Sequence, residues 1–323
     1  MKIKKINRCA ELLKEQDYIL ILTHKNPDGD TVGSAAALCS ALRQLGKKAF
    51  LYANPQIKGK LLPYAKPFFA PEGSEDMFCY YVAVDVAAES QFPPGFKGEV
   101  DLCVDHHEIN SHYAKQEYIR SGSSSCGELV LRLIKALGIT LSKEEATLLY
   151  IAVTTDTGCF QYLNTNADTL SAAAELLTLG ADSARVVTEF FRKVSQARLK
   201  LEGAIYSSLE FYKDGKVAVA TVTREMLAQA GAGEDDCDDL AGLAGRAENS
   251  VVNVTIRELE DGGSRISVRS APEVSSSAIC AVFGGGGHAM AAGCTIPAPP
   301  EKAKTMLLAV IDELWHEWDT SDR

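Results

Sequence analysis

The chain has 323 residues, 46% of them hydrophobic and 24% charged, which suffices for two domains with a core in each. Its formal net charge is −10. No stretch supplies the basic stripe with which proteins track long nucleic acids, so a polyanionic substrate is expected to be short. No run approaches the ~20 apolar residues of a membrane span, and the basic start is followed by Asn7, Arg8 and Glu11, unlike a secretory signal. Nine cysteines, with no C-x-x-C pair and mostly within apolar runs, predict small core residues in a reducing compartment, hence a cytoplasmic protein.

In chain order, residues 18–23 form a continuous apolar run of strand length, suited to a buried parallel strand. A Pro/Gly/Asp loop follows, then a helix in which Ala35, Leu38, Leu42 and Leu45 recur at spacings of three and four until Gly46 ends it. Further strands are predicted at 48–53, 80–85 and 102–105, with helices near 126–137, 143–154 and 168–179. This alternation predicts an α/β domain with a mainly parallel sheet and helices on both faces. In the second half, 209–212 and 216–222 flank Lys213-Asp214-Gly215 as a hairpin. Residues 251–257 and 264–270 flank Asp261-Gly262-Gly263. In the last strand Ile266 and Val268 share one face and Arg265, Ser267 and Arg269 the other. A smaller α+β domain is expected there. The expected division is 1–190 and 200–323, with a helical connector at about 190–200 and no internal repeat.

Four short segments concentrate the chemistry. The first, directly after a strand, contains His24, Asp28, Asp30, Gly33 and Ser34. The second is Asp85, the third Asp105-His106-His107, both at strand ends. The fourth is Asp156-Thr157-Gly158, where an apolar helix stops. In open α/β sheets ligands bind beyond the carboxyl ends of the strands, so one crevice can collect these groups. Converging carboxylates raise one another's pKa, and divalent cations relieve the conflict. Two imidazoles with several carboxylates suit Mn²⁺, with Fe²⁺ or Co²⁺ weaker options, whereas carboxylates alone would favour Mg²⁺ or Ca²⁺. Each segment alone has a plainer reading; 27–30, for example, suits a turn with Asp30 capping the next helix. Their joint occurrence at element ends does not.

Of the six histidines, three lie in these segments and His288 ends a fifth, Phe283-Gly-Gly-Gly-Gly-His288. A glycine run can turn its N–H groups toward an anion, and Ala289-Met-Ala-Ala after it reads as a helix whose N-terminus would favour a phosphate. With Arg269 on a neighbouring polar face, Gly285, Gly286, Gly287 and His288 are expected to form a phosphate or carboxylate clamp. The acidic run 234–239 is expected to be a solvated loop with an N-cap, and His112 and His316 surface or internally satisfied histidines. The Ser-Ser-Ser-Cys-Gly stretch at 123–127 suits a helix cap better than an anion cradle.

Together these segments resemble the DHH phosphoesterase superfamily. The resemblance rests on His-x-x-Pro-Asp-x-Asp-x-x-Gly-Ser at 24–34, the isolated Asp85, Asp-His-His-x-x-Asn ending at Asn110, Asp156-Thr-Gly, and GGGGH-x-x-A-A-G at 284–293. It spans essentially the whole chain and is similar in arrangement to the stand-alone nanoRNase/pAp-phosphatase group. The resemblance implies one cation held by His24, Asp28 and Asp85. It implies a second held by Asp30, Asp85, His106 and Asp156, with Asp85 bridging. It places Arg269 and His288 on a substrate phosphate, Asn110 with the substrate, and His107 at the phosphate or leaving oxygen as donor or general acid. The activity implied is Mn²⁺-dependent hydrolysis of short oligoribonucleotides to mononucleotides and 3′-phosphate release from 3′-phosphoadenosine 5′-phosphate (pAp). A phosphodiesterase for cyclic di-AMP or pApA is the alternative. A non-catalytic nucleotide sensor is disfavoured because no ligand position is missing. Neither long duplex nucleic acid nor a membrane is an expected partner; a homodimer is compatible with the reading.

Overall fold

A computed structural model describes residues 2–237 and 240–319. The chain divides into two compact units, Met1–Lys193 and Val194–Arg323.

The first unit contains α1 (Ile6–Glu15), β1 (Ile19–Leu22), α2 (Gly29–Gln44), β2 (Ala49–Leu51), a short α3 (Leu62–Ala65), β3 (Tyr80–Val84), β4 (Leu102–Asp105), β5 (Gln116–Ile119), α4 (Cys126–Leu137), α5 (Lys143–Asp156), α6 (Ala167–Thr178) and α7 (Ser183–Val187). Its five strands are all parallel, in the order β2-β1-β3-β4-β5. The order reverses between β1 and β3, where doubly wound sheets open a crevice at their carboxyl edge. β1 is Ile-Leu-Ile-Leu and buried at every position, as a strand covered on both faces must be. Ile19 and Ile21 join Leu38, Leu42, Leu133 and Leu149 in the larger core, built by α1, α2, α4 and α5.

On the opposite face the flanking elements are shorter than the sequence suggests. Leu20, Leu22 and Cys103 pack there against Phe78, Val86 and the aromatic rings of Phe92, Phe96 and Tyr113. Those rings come from the β3–β4 and β4–β5 connections. Pro93-Pro94-Gly95 interrupts the first, leaving it a single 3₁₀ turn at Glu89–Gln91. Edge-to-face contacts, such as Phe92–Phe96 at 5.5 Å, fill the space a long helix would occupy.

The second unit contains α8 (Gln196–Ser207), β6 (Glu210–Tyr212), β7 (Val217–Val222), α9 (Arg224–Ala230), β8 (Val252–Glu258), β9 (Ser264–Ser270), α10 (Ser276–Ala281), β10 (Gly286–His288), β11 (Ala291–Ile296) and α11 (Pro300–Asp319). The sheet order is β10-β11-β9-β8-β7-β6, with β7–β8 its parallel pair. The β6–β7 hairpin turns on Lys213 and Asp214, both at positive φ (54° and 55°), as tight hairpins favour. Val219, Val254, Ile266 and Val268 cover one face with α10 and α11. On the other face Ala218, Ala220 and Val222 of β7 pack with Leu201 and Ile205 of α8.

The helix expected at 289–292 is absent. Residues 286–288 and 291–296 form an antiparallel hairpin, with Ala291 facing Arg269 of β9. Alanine and methionine favour a helix, but six consecutive pairings to β9 decide the local structure instead. Among the described residues the nine cysteines form no disulfide, and seven of them are buried. Among the described residues no helix is long and apolar enough to cross a membrane.

The acidic run opens as a 3₁₀ turn at Glu234–Cys237. Asp236 accepts hydrogen bonds from Ser195 Oγ (2.5 Å) and the Gly233 amide (3.0 Å), which ties the turn to the start of α8. Asp238 and Asp239 lie outside the described residues, as do the side chains of Glu234, Asp235 and His316.

Candidate metal centre

The first unit gathers its chemistry at the carboxyl edge of β1, β3 and β4. Asp28 is the N-cap of α2, its Oδ1 accepting from the Thr31 amide (3.1 Å). The cap is therefore Asp28, and Asp30 is free for another use. Asp30 lies buried in the first turn of α2, where Oδ1 accepts from Ser34 Oγ (3.1 Å) and the Gly127 amide (2.9 Å), and Oδ2 from the Cys126 amide (2.7 Å). The N-terminus of α4 thus does both things its sequence allowed. Ser125 caps it through the Glu128 amide, and its free amides cradle an anion, which is the carboxylate of Asp30.

Asp85 follows β3 with φ +61°, a left-handed conformation uncommon for a residue with a side chain. Its amide donates to Val104 O (3.0 Å) on the neighbouring strand. Asp156 is the last residue of α5. It meets Asp30 because α2 and α5 approach closely at two glycines. A Cβ at Gly33 would lie 2.3 Å from Leu148 O, and one at Gly29 would lie 2.4 Å from Thr155 Oγ1.

These elements form two donor groups that share one residue. His24 Nε2 lies 3.6 Å from Asp28 Oδ1 and 3.6 Å from Asp85 Oδ2. His106 Nε2 lies 3.4 Å from Asp85 Oδ1, 3.6 Å from Asp30 Oδ2 and 3.6 Å from Asp156 Oδ2. Asp85 therefore turns one oxygen to each group. Within His24–Asp28–Asp85, and within Asp30–His106–Asp156, the donor atoms all lie within 4.8 Å of one another. The Nδ1 of His106 lies 3.1 Å from Ser123 O. A carbonyl only accepts, so that nitrogen carries the proton and Nε2 is aimed at the carboxylates.

The electrostatics are those of a site that needs positive charge. Burial and the neighbouring Asp85 and Asp156 carboxylates push Asp30 far above the usual carboxylate range. Burial, with Asp85 and Asp28, raises Asp156 to about 7 despite the opposing pull of His106. His106 is held up at about 11, since Asp85, Asp30 and Asp156 outweigh the effect of its burial. Asp85 Oδ1 is buried with no hydrogen-bond partner among the described residues. An orphaned carboxylate oxygen between an imidazole and two further acids fits a divalent cation by donor chemistry.

His107 is held differently. Its Nδ1 lies 2.7 Å from Asp105 Oδ1, and this contact raises its pKa. Asp105 is fully buried. Its carboxylate also accepts from the His106 amide (2.9 Å) and Asn110 Nδ2 (2.7 Å). Burial alone would raise Asp105, but the hydrogen bonds from His107 and Asn110 bring it below the ordinary value.

In the second unit, His288 pairs with Ala291, which pairs with Arg269. Directly paired residues point to the same face, so His288 and Arg269 share one. They line an open groove of about 890 Å³. The glycines expected to contact phosphate divide into two kinds. A Cβ at Gly285 would lie 2.3 Å from Gly293 O, and one at Gly287 (φ +148°) would lie 2.5 Å from Ala291 O. Hairpin packing therefore accounts for those two. Gly286 has nothing within 4 Å.

The sequence pattern of the DHH family, N-terminal domain, matches residues 18–153, and that of the DHHA1 domain matches 214–317. A Thermus thermophilus protein named bifunctional oligoribonuclease and PAP phosphatase NrnA is 35% identical over 91% of this chain and 89% of its own length. The chain belongs to the DHH family. A cyclic-di-AMP phosphodiesterase, PdeA, of Listeria monocytogenes is a more distant relative, 25% identical over 94% of this chain and 49% of its own. An exopolyphosphatase-related protein of Bacteroides fragilis shares the fold, with a TM-score of 0.85, 24% identity and 97% of each chain covered.

In this DHH family chain the structure brings His24, Asp28, Asp30, Asp85, His106, His107 and Asp156 together at one edge. Asn110 is engaged within the fold. Its Nδ2 donates to Asp105, and its Oδ1 accepts from the His112 amide (2.8 Å), so both ends of the amide serve the fold. His112 is internally satisfied through Glu117 Oε2 (3.0 Å). Sequence reasoning gives no role to Asp105, or to Asn54, which donates to His24 O (3.0 Å) and Thr23 Oγ1 (3.1 Å). For Asp105 the signal is its place beside two histidines; Asn54 gives none.

Proposed function

We propose that this chain is a two-metal phosphoesterase that shortens small oligoribonucleotides to mononucleotides and removes the 3′-phosphate of pAp in the cytoplasm. The observation that carries the reading is Asp85, which turns one oxygen to each of two His–Asp groups. His24, Asp28 and Asp85 would hold one cation, and Asp30, Asp85, His106 and Asp156 the other, with Mn²⁺ the ion that suits this mixture best. The name of the Thermus thermophilus relative supports the substrate class.

When bound, such ions would activate a water and offset charge on the phosphoryl oxygens. Ser123 O fixes the ring of His106, and the α4 amides fix Asp30, so the donors are set before substrate arrives. Asp105 accepts from the Nδ1–H of His107 and favours its imidazolium form, whose Nε2–H would donate to the phosphate or the leaving oxygen. Arg269 and His288 would grip a second phosphate of the substrate through charge-assisted hydrogen bonds.

The test is a time course on a labelled RNA trimer, pAp, pApA and cyclic di-AMP, each with Mn²⁺ and with EDTA. Metal-dependent release of mononucleotides from the trimer and of phosphate from pAp is expected. A clear preference for cyclic di-AMP would replace this substrate assignment, as the Listeria relative suggests. Turnover undiminished by EDTA would overturn the two-metal reading.

A further inference from the structure

The open face of the C-terminal sheet carries more positive charge than one phosphate needs. Arg265, Ser267 and Arg269 alternate along β9 and pair with Thr295, Gly293 and Ala291 of β11. All six therefore face the groove that holds His288. Arg265 and Arg269 are both exposed. Among the described residues the Arg269 side chain makes one hydrogen bond, from Nη1 to Val268 O (3.1 Å). The Arg265 side chain has no ion pair or hydrogen bond among the described residues. Two guanidinium groups on one open face, neither paired with a carboxylate, are the arrangement of a surface that receives anions.

The floor between the two arginines is low. Ser267 and Gly293 lie at its centre, and Gly286 faces Gly293 from β10. Unlike its neighbours Gly285 and Gly287, Gly286 has neither a positive φ nor any atom within 4 Å of a would-be Cβ. The fold does not require glycine there, and its absence of a side chain leaves the groove clear. Arg265 and Arg269 stand about 13 Å apart along the strand. Arginine side chains reaching inward from both ends suit two phosphates of one oligonucleotide.

We propose that Arg265 forms a second phosphate subsite, which makes it a determinant of substrate length. Resting on the function proposed above, Arg269 and His288 hold one phosphate and Arg265 holds a further one. A 5′-phosphorylated trimer carries three phosphates, one to be cleaved, one for Arg269 and His288 and one for Arg265, whereas pAp carries only two. A cationic groove that follows the backbone in this way selects for chain length and tolerates any base.

The experiment compares wild type, Arg265→Gln and Arg265→Lys for kcat and KM on pAp and on a 5′-phosphorylated RNA trimer, over a range of salt. For Arg265→Gln we expect about a tenfold rise in KM for the trimer, unchanged kcat and unchanged pAp kinetics. The slope of log binding against log salt should fall by about 0.7, the value for one phosphate contact on a single strand. Arg265→Lys should restore the slope, which a purely structural role would not do. Equal losses on pAp and trimer, or no loss on either, would overturn the subsite. Binding of a fluorescein-labelled trimer to the metal-free proteins separates this proposal from the catalytic one. If wild type and Arg265→Gln bind it equally, the subsite fails even where the phosphoesterase reading stands. If binding differs but nothing is cleaved, the phosphoesterase reading fails and the subsite stands.

Discussion

At the carboxyl edge of the N-terminal sheet the functional side chains are held by hydrogen bonds from the surrounding fold, while on the open face of the C-terminal sheet they are barely held at all. Asp30 accepts two main-chain amides and a hydroxyl. His106 is fixed by Ser123 O and His107 by Asp105. Arg269 makes one contact with its own strand, and His288 is exposed. The difference follows from what each region handles. Buried acids that repel one another keep a fixed geometry only if the fold imposes it. Exposed cations that meet a flexible polyanion lose little by remaining mobile until it arrives.

Asp85 is where this contrast breaks first. Asp85→Asn should lower kcat by about 10³-fold or more, the scale for losing a preorganised electrostatic group. Because asparagine tolerates left-handed backbone and removes a negative charge from a crowded site, the Tm of the metal-free protein should stay equal or rise. A parallel fall in both would mean that Asp85 serves the fold.

Asp105→Asn probes the supporting layer and should cost about 10–100-fold in activity or metal affinity. Its new amide would face the Nδ2 donor of Asn110, or lose the bond to His107. Steady-state kinetics with titrated Mn²⁺ would show it, and an unchanged rate would remove His107 from the mechanism.

Metal affinity should rise with pH. A cation binds the deprotonated forms, so below about 7 it must displace a proton from Asp156, and across the whole neutral range one from His106. Each released proton strengthens apparent binding by about tenfold per pH unit. The gain should therefore be steepest on the acid side of about 7, where Asp156 adds its proton to those that the raised His106, His24 and Asp30 release. Calorimetric titrations in buffers of different ionisation enthalpy count the protons, and an affinity that is flat with pH would contradict the arrangement.

The smallest effects belong to the hairpin. Gly287→Ala meets Ala291 O at a strained φ and should destabilise by about 2 kcal/mol. Gly286→Ala meets nothing and should stay within about 0.5 kcal/mol. Thermal melts of the two variants would separate a glycine the fold needs from one it does not.

The donor set was legible in the sequence because each member sits at the end of a strand or helix, where apolar runs stop at charged residues. Its support was not, since Asp30 and the amides of Cys126 and Gly127 are 96 and 97 positions apart and meet only through packing. Residues 289–292 misled for a related reason. Their composition favours a helix, and the strand that overrides it, β9, lies well before them in the chain. The aromatic cover of the second sheet face was equally hidden, because loops rather than periodic elements build it.

The contact between α2 and α5 reaches beyond packing. Gly33 faces Leu148 O and Gly29 faces Thr155, with no room for a methyl group at either. The gap between Asp30 on one helix and Asp156 on the other is thus set by two residues that carry no functional group. Such a spacer acts as a caliper. A change in the ionic radius the site accepts is open to mutations that never touch a ligand, and so would escape a survey confined to the charged residues.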